Sequence, residues 1–134
     1  MLDDADLILT IDANSFHDIA GFYCEINRVF MQDEDWKMGE SLDALDDMLY
    51  GGYGALKDAG AVHLQWINME KSRDDLGIEA TKQWLLRKLD EPGRFNLDHF
   101  RKQLHALESG EGKTYFDIVM EIFESHPAIR LSPC

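Results

Sequence analysis

The sequence predicts an α/β fold: a three-stranded parallel sheet covered by helices, with a helical insertion after the second strand. Three short apolar segments predict the strands, namely "ADLILTIDA" (5–13), "AVHLQWIN" (61–68) and "AIRLS" (128–132). Amphipathic helical patterns lie between them, and helical crossovers between strands are typical of a parallel sheet. Because such crossovers are right-handed, we expect the helices to lie largely on one face of the sheet.

Two helices are predicted between the first and second strands. Ser15, followed three residues later by Asp18, has the spacing of a capping box, and apolar residues at helical spacing predict a helix over 16–31. Ser41 is predicted to cap a second, short helix. That helix should end at the glycines of "GGYG" (51–54), since glycine is the usual residue past a helix C-terminus.

The predicted insertion covers residues 69–113. Within it, helices are expected over 79–89 and 97–107, with "DEPG" (90–93) breaking the first and Asn96 capping the second. A length of 134 residues fits one domain better than two, so we expect a single domain over the whole chain.

The last predicted helix leads into the third strand. Thr114 and Asp117 offer a capping box for a helix that extends through Ser125. Pro127 then stops the helix, because proline cannot continue the backbone hydrogen-bond ladder.

The composition excludes several classes of function. The chain has 26 acidic and 13 basic residues, and its net charge of −13 would repel both nucleic acid and anionic membranes. No apolar run approaches the roughly 20 residues that span a bilayer, and an N-terminus that begins with acids does not predict a secretory signal. We therefore expect a cytoplasmic protein, and the charge favours either a basic protein partner or simply solubility.

The two cysteines are too few for a disulfide framework. We interpret Cys24 and Cys134 as reduced thiols, although a single bridge between them stays open. Cys24 lies in the middle of a predicted helix with no obvious base nearby, which favours a buried structural thiol over a nucleophile.

Sequence patterns for enzyme chemistry are absent. The five histidines show no metal-ligand spacing and are predicted to be surface or boundary residues, and no serine lies in a G-x-S-x-G elbow. We predict no cofactor and no catalytic residue.

Acidic charge is concentrated between residues 32 and 50, which hold seven acids and one base, Lys37. On the short helix, Asp43, Asp47 and Tyr50 should lie opposite the apolar face, with Asp46 at its flank. The helix dipole stabilises Asp43 in the first turn but does little for Asp47, which Asp43 should repel. Local stability therefore does not explain Asp47.

Two interpretations of this acidic helix stay open. One is a solvated acidic face without a specific role. The other is an anionic surface shaped for a cationic pocket, with Trp36, Tyr50 and Tyr53 beside it as the aromatic anchors that protein-binding surfaces use.

The segment "GESLDALDDML" (39–49) also resembles the barstar family of intracellular ribonuclease inhibitors. The family segment is an aromatic-rich loop, then a glycine, then a helix that begins Leu-Asp-Ala-Leu and has a second acid four residues after the first. The residues that match it here are Gly39, Leu42, Asp43, Ala44, Leu45 and Asp47. The resemblance covers roughly 5–68 and, more weakly, 114–132. It implies a small three-stranded parallel sheet covered by helices.

The resemblance also implies a function and a set of site residues. In that family the acidic helix and the adjoining loop block the active site of a small bacterial ribonuclease. The match gives Asp43 and Asp47 the roles of two acids that meet the phosphate-binding residues of the enzyme, and Glu121 that of a third. The implied contact surface contains Gly39, Trp36, Asp46, Tyr50 and Tyr53 as well.

This sequence departs from the family pattern in the contact region. Lys37 and Met38 stand where the family has tyrosines, and Asp46 stands where it has a tryptophan. Two alternatives therefore stay open. One is an immunity-type or adaptor module with a basic partner that is not a nuclease. The other is an enzyme in which Asp43, Asp46 and Asp47 bind Mg²⁺.

Overall fold

The three predicted strands pair as one parallel sheet in the computed structural model, which describes residues 7–32, 34–51, 54–57, 60–90 and 97–133. The strands are β1 (Leu7–Asp12), β2 (Val62–Ile67) and β3 (Ile129–Pro133), and β2 is central. The α-helices of these ranges are α1 (Ile19–Phe30), α2 (Leu42–Leu49), α3 (Met69–Asp75), α4 (Ile78–Leu89), α5 (Leu97–Glu108) and α6 (Tyr115–Glu124). The predicted fold class is confirmed.

The helices cover one face of the sheet, as predicted. On β2, Val62, Leu64 and Trp66 are buried, while Gln65, which points to the other face, is exposed. In β1, Ile8 is registered with the central strand on this second face and is exposed. The alternation follows from the period of two in a strand, which sends successive side chains to opposite faces.

The centre of the core is the indole ring of Trp66, which is inaccessible to solvent. Phe22 of α1 stacks on it with a centroid distance of 6.0 Å, and Phe116 and Phe123 of α6 meet it edge to face at 6.3 and 5.9 Å. The indole N–H donates a hydrogen bond of 2.9 Å to the hydroxyl of Ser72 in α3. One side chain of the central strand therefore contacts three helices.

The predicted cap at Ser15 is wrong. The Ser15 hydroxyl donates to the carbonyl oxygen of Asp12 at 2.7 Å within a short 3-10 turn. The true cap of α1 is Asp18, whose carboxylate accepts the N–H of Gly21 at 2.7 Å, so the helix begins later than predicted.

Helix α3 was not predicted, because its sequence is short and mostly charged. It starts after Asn68, which adopts the left-handed conformation with φ of 55°. Its contacts are tertiary: besides the Ser72 hydroxyl at the indole, the Lys71 ammonium donates to the carbonyl oxygen of Phe16. Neither contact leaves a periodic signal in the sequence.

The other predicted helices are confirmed within a residue or two at their ends. The capping box of α6 is present, with the Thr114 hydroxyl accepting the N–H of Asp117 at 3.2 Å and the Asp117 carboxylate accepting the N–H of Thr114 at 3.0 Å. The predicted cap at Asn96 lies outside the described residues.

A buried carboxylate ties α1 to the end of β1. Glu25 is only 4% exposed, and it accepts the backbone N–H of Asp12 at 2.7 Å and two guanidinium N–H groups of Arg28 at 2.6 and 2.7 Å. Burial by itself would raise the pKa of Glu25, but the bonds from Arg28 and Asp12 outweigh it and hold this pKa below its usual value.

This depressed pKa predicts a pH dependence of stability. The contribution of Glu25 is present above its unfolded-state pKa, near 4.5, and is lost as the pH falls through its lower folded-state pKa. At pH 7 we expect Glu25→Gln to lower the free energy of unfolding by about 1–3 kcal/mol. The difference from the unmodified protein should shrink below pH 4.5, as measured by urea unfolding at several pH values. Glu124→Gln, at an exposed position, is the matched control, and an equal loss in it would contradict the assignment.

Candidate functional site

Helix α2 is held with its apolar face inward. The Ser41 hydroxyl accepts the N–H of Ala44 at 3.2 Å, which confirms the predicted cap. Leu45, Met48 and Leu49 are buried in the core, and α2 packs against α6. The helix is therefore fixed in orientation, and so are the residues on its outer face.

The outer face of α2 carries Asp43, Asp47 and Tyr50, all exposed, as their spacing predicted. Tyr50 is 76% exposed. Within the described part of the chain, neither Asp43 nor Asp47 makes a hydrogen bond or an ion pair through its carboxylate. No lysine or arginine in those ranges pairs with either carboxylate, so both charges are available to a partner.

Asp46 differs from the other two aspartates because its charge is engaged within the protein. One of its carboxylate oxygens lies 2.7 Å from Nε2 of His126, and the ring of Tyr50 meets the imidazole edge to face at 4.7 Å. His126 is only 7% exposed, so the prediction of a surface or boundary histidine is wrong here. The pair joins α2 to the residues that follow α6.

Glu121 lies on the exposed side of α6, the helix that packs against α2. Its carboxylate forms an ion pair of 2.7 Å with the ammonium of Lys113, and both side chains are more than half exposed. An exposed pair of this kind contributes little to stability, so a partner's cation could replace Lys113 at small cost.

The loop between α1 and α2 presents Trp36, whose side chain is 44% exposed. Trp36 lines a groove of about 440 Å³ together with Cys24 of α1. Cys24 is a free, exposed thiol, so the prediction that it is buried is wrong; it lies on the side of α1 away from the core. Gly39 is also exposed, and a β-carbon added there would meet no atom of the described residues within 4 Å. Tyr53 lies outside the described residues.

The same loop is attached to the body of the protein at two points. The side chain of Asn27 accepts the N–H of Met38 at 2.9 Å and donates to the carbonyl oxygen of Met38 at 3.1 Å. The carboxylate of Glu34 accepts the N–H of Gly54 at 3.0 Å. Sequence reasoning missed both attachments, since they join residues that lie 11 and 20 positions apart.

The described ranges contain neither a metal-binding cluster nor a membrane-spanning helix. No three His, Cys, Asp or Glu side chains there lie close enough together to hold one metal ion, so Asp43, Asp46 and Asp47 do not converge on a common point. Among the same residues, no helix has both the length and the apolar character needed to cross a membrane.

Comparison with known proteins adds one finding. A family model described as Barstar (barnase inhibitor) matches residues 7–94, about two thirds of the chain. This match includes α1, the loop, α2 and the strands β1 and β2. A search of curated proteins and a search of solved structures each found no match.

The backbone conformation at Gly54, where the loop is attached, predicts a large loss of stability when this glycine is replaced. This residue has φ of +73°, and an added β-carbon would lie 2.5 Å from the carbonyl oxygen of Phe30. We expect Gly54→Ala to lower the free energy of unfolding by about 1–3 kcal/mol or more, as measured by urea unfolding. Gly39→Ala is the matched control and should leave stability within about 0.5 kcal/mol of the unmodified protein. Equal losses in the two variants would contradict the geometry.

Proposed function

The chain belongs to the barstar family, and from that premise we propose that it binds a basic ribonuclease and blocks its active site. The observation that carries the proposal is the pair of exposed carboxylates of Asp43 and Asp47, which have no cation of their own among the described residues. Their fixed mounting on α2 and their membership of the matched segment both support this role.

The mechanism follows from charge substitution. A ribonuclease holds arginine and lysine side chains in position for the phosphates of RNA, and carboxylates bind the same side chains through charge-assisted hydrogen bonds. Asp43 and Asp47 lie one helical turn apart on a helix that is capped and packed. Little ordering entropy is therefore lost when they enter the pocket. The protein performs no chemistry in this scheme, because occupying the phosphate sites is sufficient.

The remaining site residues would surround this central pair. Trp36, Tyr50 and Tyr53 would exclude water at the rim, as aromatic residues do in protein interfaces. Glu121 would exchange Lys113 for a cation of the enzyme. Asp46 would contribute chiefly through its bond to His126, which fixes the outer face of α2 beside Tyr50.

The whole-chain charge supports fast association with a basic enzyme. A net charge of −13 attracts a cationic protein over distances of the Debye length, about 8 Å at physiological ionic strength. We therefore expect the association rate constant to fall as salt is added, with a smaller change in the dissociation rate constant.

A second candidate is an immunity-type or adaptor module with a basic partner that is not a nuclease. The observation in its favour is the altered contact surface: Lys37 is an exposed cation in the loop, and Asp46 is engaged by His126. Identification of a non-nuclease basic protein that co-purifies with the chain and is lost in Asp47→Ala would favour this candidate.

The proposed function predicts a focused effect of one aspartate. Asp47→Ala should weaken inhibition of a small basic ribonuclease from the same organism by at least about 100-fold, because it leaves a buried cation of the enzyme unpaired. Asp74→Ala, which removes the same charge from an exposed position on α3, should change inhibition by less than about threefold. The measurement is RNA hydrolysis against inhibitor concentration. Full cleavage at excess protein, or equal losses in the two variants, would overturn the proposal.

Gly39 provides a second, steric prediction. Because a β-carbon added at this exposed position would meet no atom of the described residues within 4 Å, we expect Gly39→Ala to keep the protein's stability but to weaken inhibition by about tenfold. The cause would be the close approach of the enzyme surface to the backbone at Gly39. Unchanged inhibition by this variant would remove Gly39 from the contact surface.

A further inference from the structure

We propose that the groove between the first turn of α2 and the helices α4 and α5 binds an arginine side chain of the protein partner. The inference rests on the proposed function and deepens it, because it assigns a role to the predicted insertion and a chemistry to the partner. The arginine would be one that lies outside the partner's phosphate-binding pocket.

The groove continues the acidic surface of α2. Its volume is about 480 Å³, and Glu40 and Asp43 line it on the side of α2. Trp84 of α4 and Phe100 of α5 form the other side. Asp43 therefore belongs both to the outer face of α2 and to the groove, so a partner bound at α2 would bring its neighbouring side chains to the groove entrance.

The walls of the groove are aromatic and fixed. The ring of Trp84 meets Phe100 edge to face at a centroid distance of 6.4 Å and meets Tyr115 in the same way at 5.1 Å. Ring faces attract cations through their quadrupole, and they attract the planar guanidinium most readily because it can also stack. The walls thus suit the flat cation of arginine.

The charged residues that line the groove favour binding of the guanidinium on the side of α2. Glu40 and Asp43 are both exposed carboxylates, whereas Lys88 and His99 line the groove from α4 and α5. Burial chiefly raises the pKa of Tyr115 in the groove wall to about 12; the negative charge of Glu40 adds to this shift, whereas the hydrogen bond with Tyr23 and the charge of Arg87 oppose it. A bound guanidinium would lie against Asp43 and Glu40, and Lys88 and Arg87 line a neighbouring cavity together with Glu40.

Gln103 of α5 lines both this groove and a cavity between α4, α5 and α6. Its Oε1 is the one buried side-chain polar atom of the described residues that has no hydrogen-bond partner. A buried acceptor left in this state costs about 1–3 kcal/mol. Rotation about the terminal torsion of the side chain is soft, so the amide can turn its oxygen toward a donor in the groove. A guanidinium offers five such donors.

Other occupants fit these observations less well. An aromatic or aliphatic side chain would cover Glu40 and Asp43 without satisfying their charges, which carries a desolvation cost. A lysine ammonium would satisfy one carboxylate, but it is more strongly hydrated and cannot stack flat on a ring. Arginine alone satisfies the carboxylates, the aromatic walls and the free acceptor together.

The groove can be tested without any ribonuclease by titrating the full chain with N-acetyl-L-arginine methylamide. The three tryptophan indole N–H signals in a ¹H–¹⁵N NMR spectrum report on three places: Trp84 in the groove, Trp36 on the loop, and Trp66 in the core. We expect the Trp84 signal to shift with a dissociation constant on the order of millimolar, while Trp66 stays still. N-acetyl-L-lysine methylamide should bind at least about threefold more weakly.

A matched pair of variants locates the binding. Glu40→Gln should raise the dissociation constant for the arginine amide about fivefold, and Glu124→Gln, at an exposed position on α6, should leave it unchanged. A still Trp84 signal, equal binding of the lysine amide, or an unaltered constant in Glu40→Gln would each overturn the inference. None of these measurements involves ribonuclease inhibition, so the proposed arginine site and the proposed inhibitor function can be disproved separately.

Discussion

The burial of Trp66 is the interaction on which the rest of this structure depends. Its indole ring receives aromatic side chains from α1 and α6 and bonds to Ser72 of α3, so three helices are positioned by one side chain of the central strand. The position of α6 in turn determines that of α2, which packs on it and bonds through Asp46 to His126. The acidic surface is therefore connected, contact by contact, to the centre of the core.

The same packing creates an electrostatic conflict on α2. With its apolar side committed to the core, the helix must turn Asp43 and Asp47 to solvent, where they repel each other at a cost of a few tenths of a kcal/mol. Of the three aspartates of α2, only Asp46 has a side-chain partner among the described residues, the buried His126. A cationic partner would neutralise the two like charges of Asp43 and Asp47 and remove their repulsion. The local geometry and membership of an inhibitor family therefore both support the proposed binding of a basic protein.

Loop and groove extend this surface in two directions. Toward α1, Asn27 and Glu34 attach the loop that presents Trp36, so the exposed ring is carried by a fixed backbone. Toward α4 and α5, the aromatic groove begins at Asp43. Asp43 thus lies at an aromatic groove, and the loop that precedes α2 carries an exposed aromatic residue, so a partner at α2 would have more to recognise than charge alone.

The sequence by itself determined the features that depend only on residues close together in the chain. The cap at Ser41, the capping box at Thr114 and the outward face of α2 all follow from hydrogen bonds or periodicities within a few residues. Only the tertiary structure decided the features that join distant positions: His126 at Asp46, 80 residues apart, and the Asn27 bonds to the loop. It also chose Asp18 over the predicted Ser15 as the helix cap. Local patterns offer such alternatives, and packing selects among them, because burial energy depends on contacts that no short segment contains.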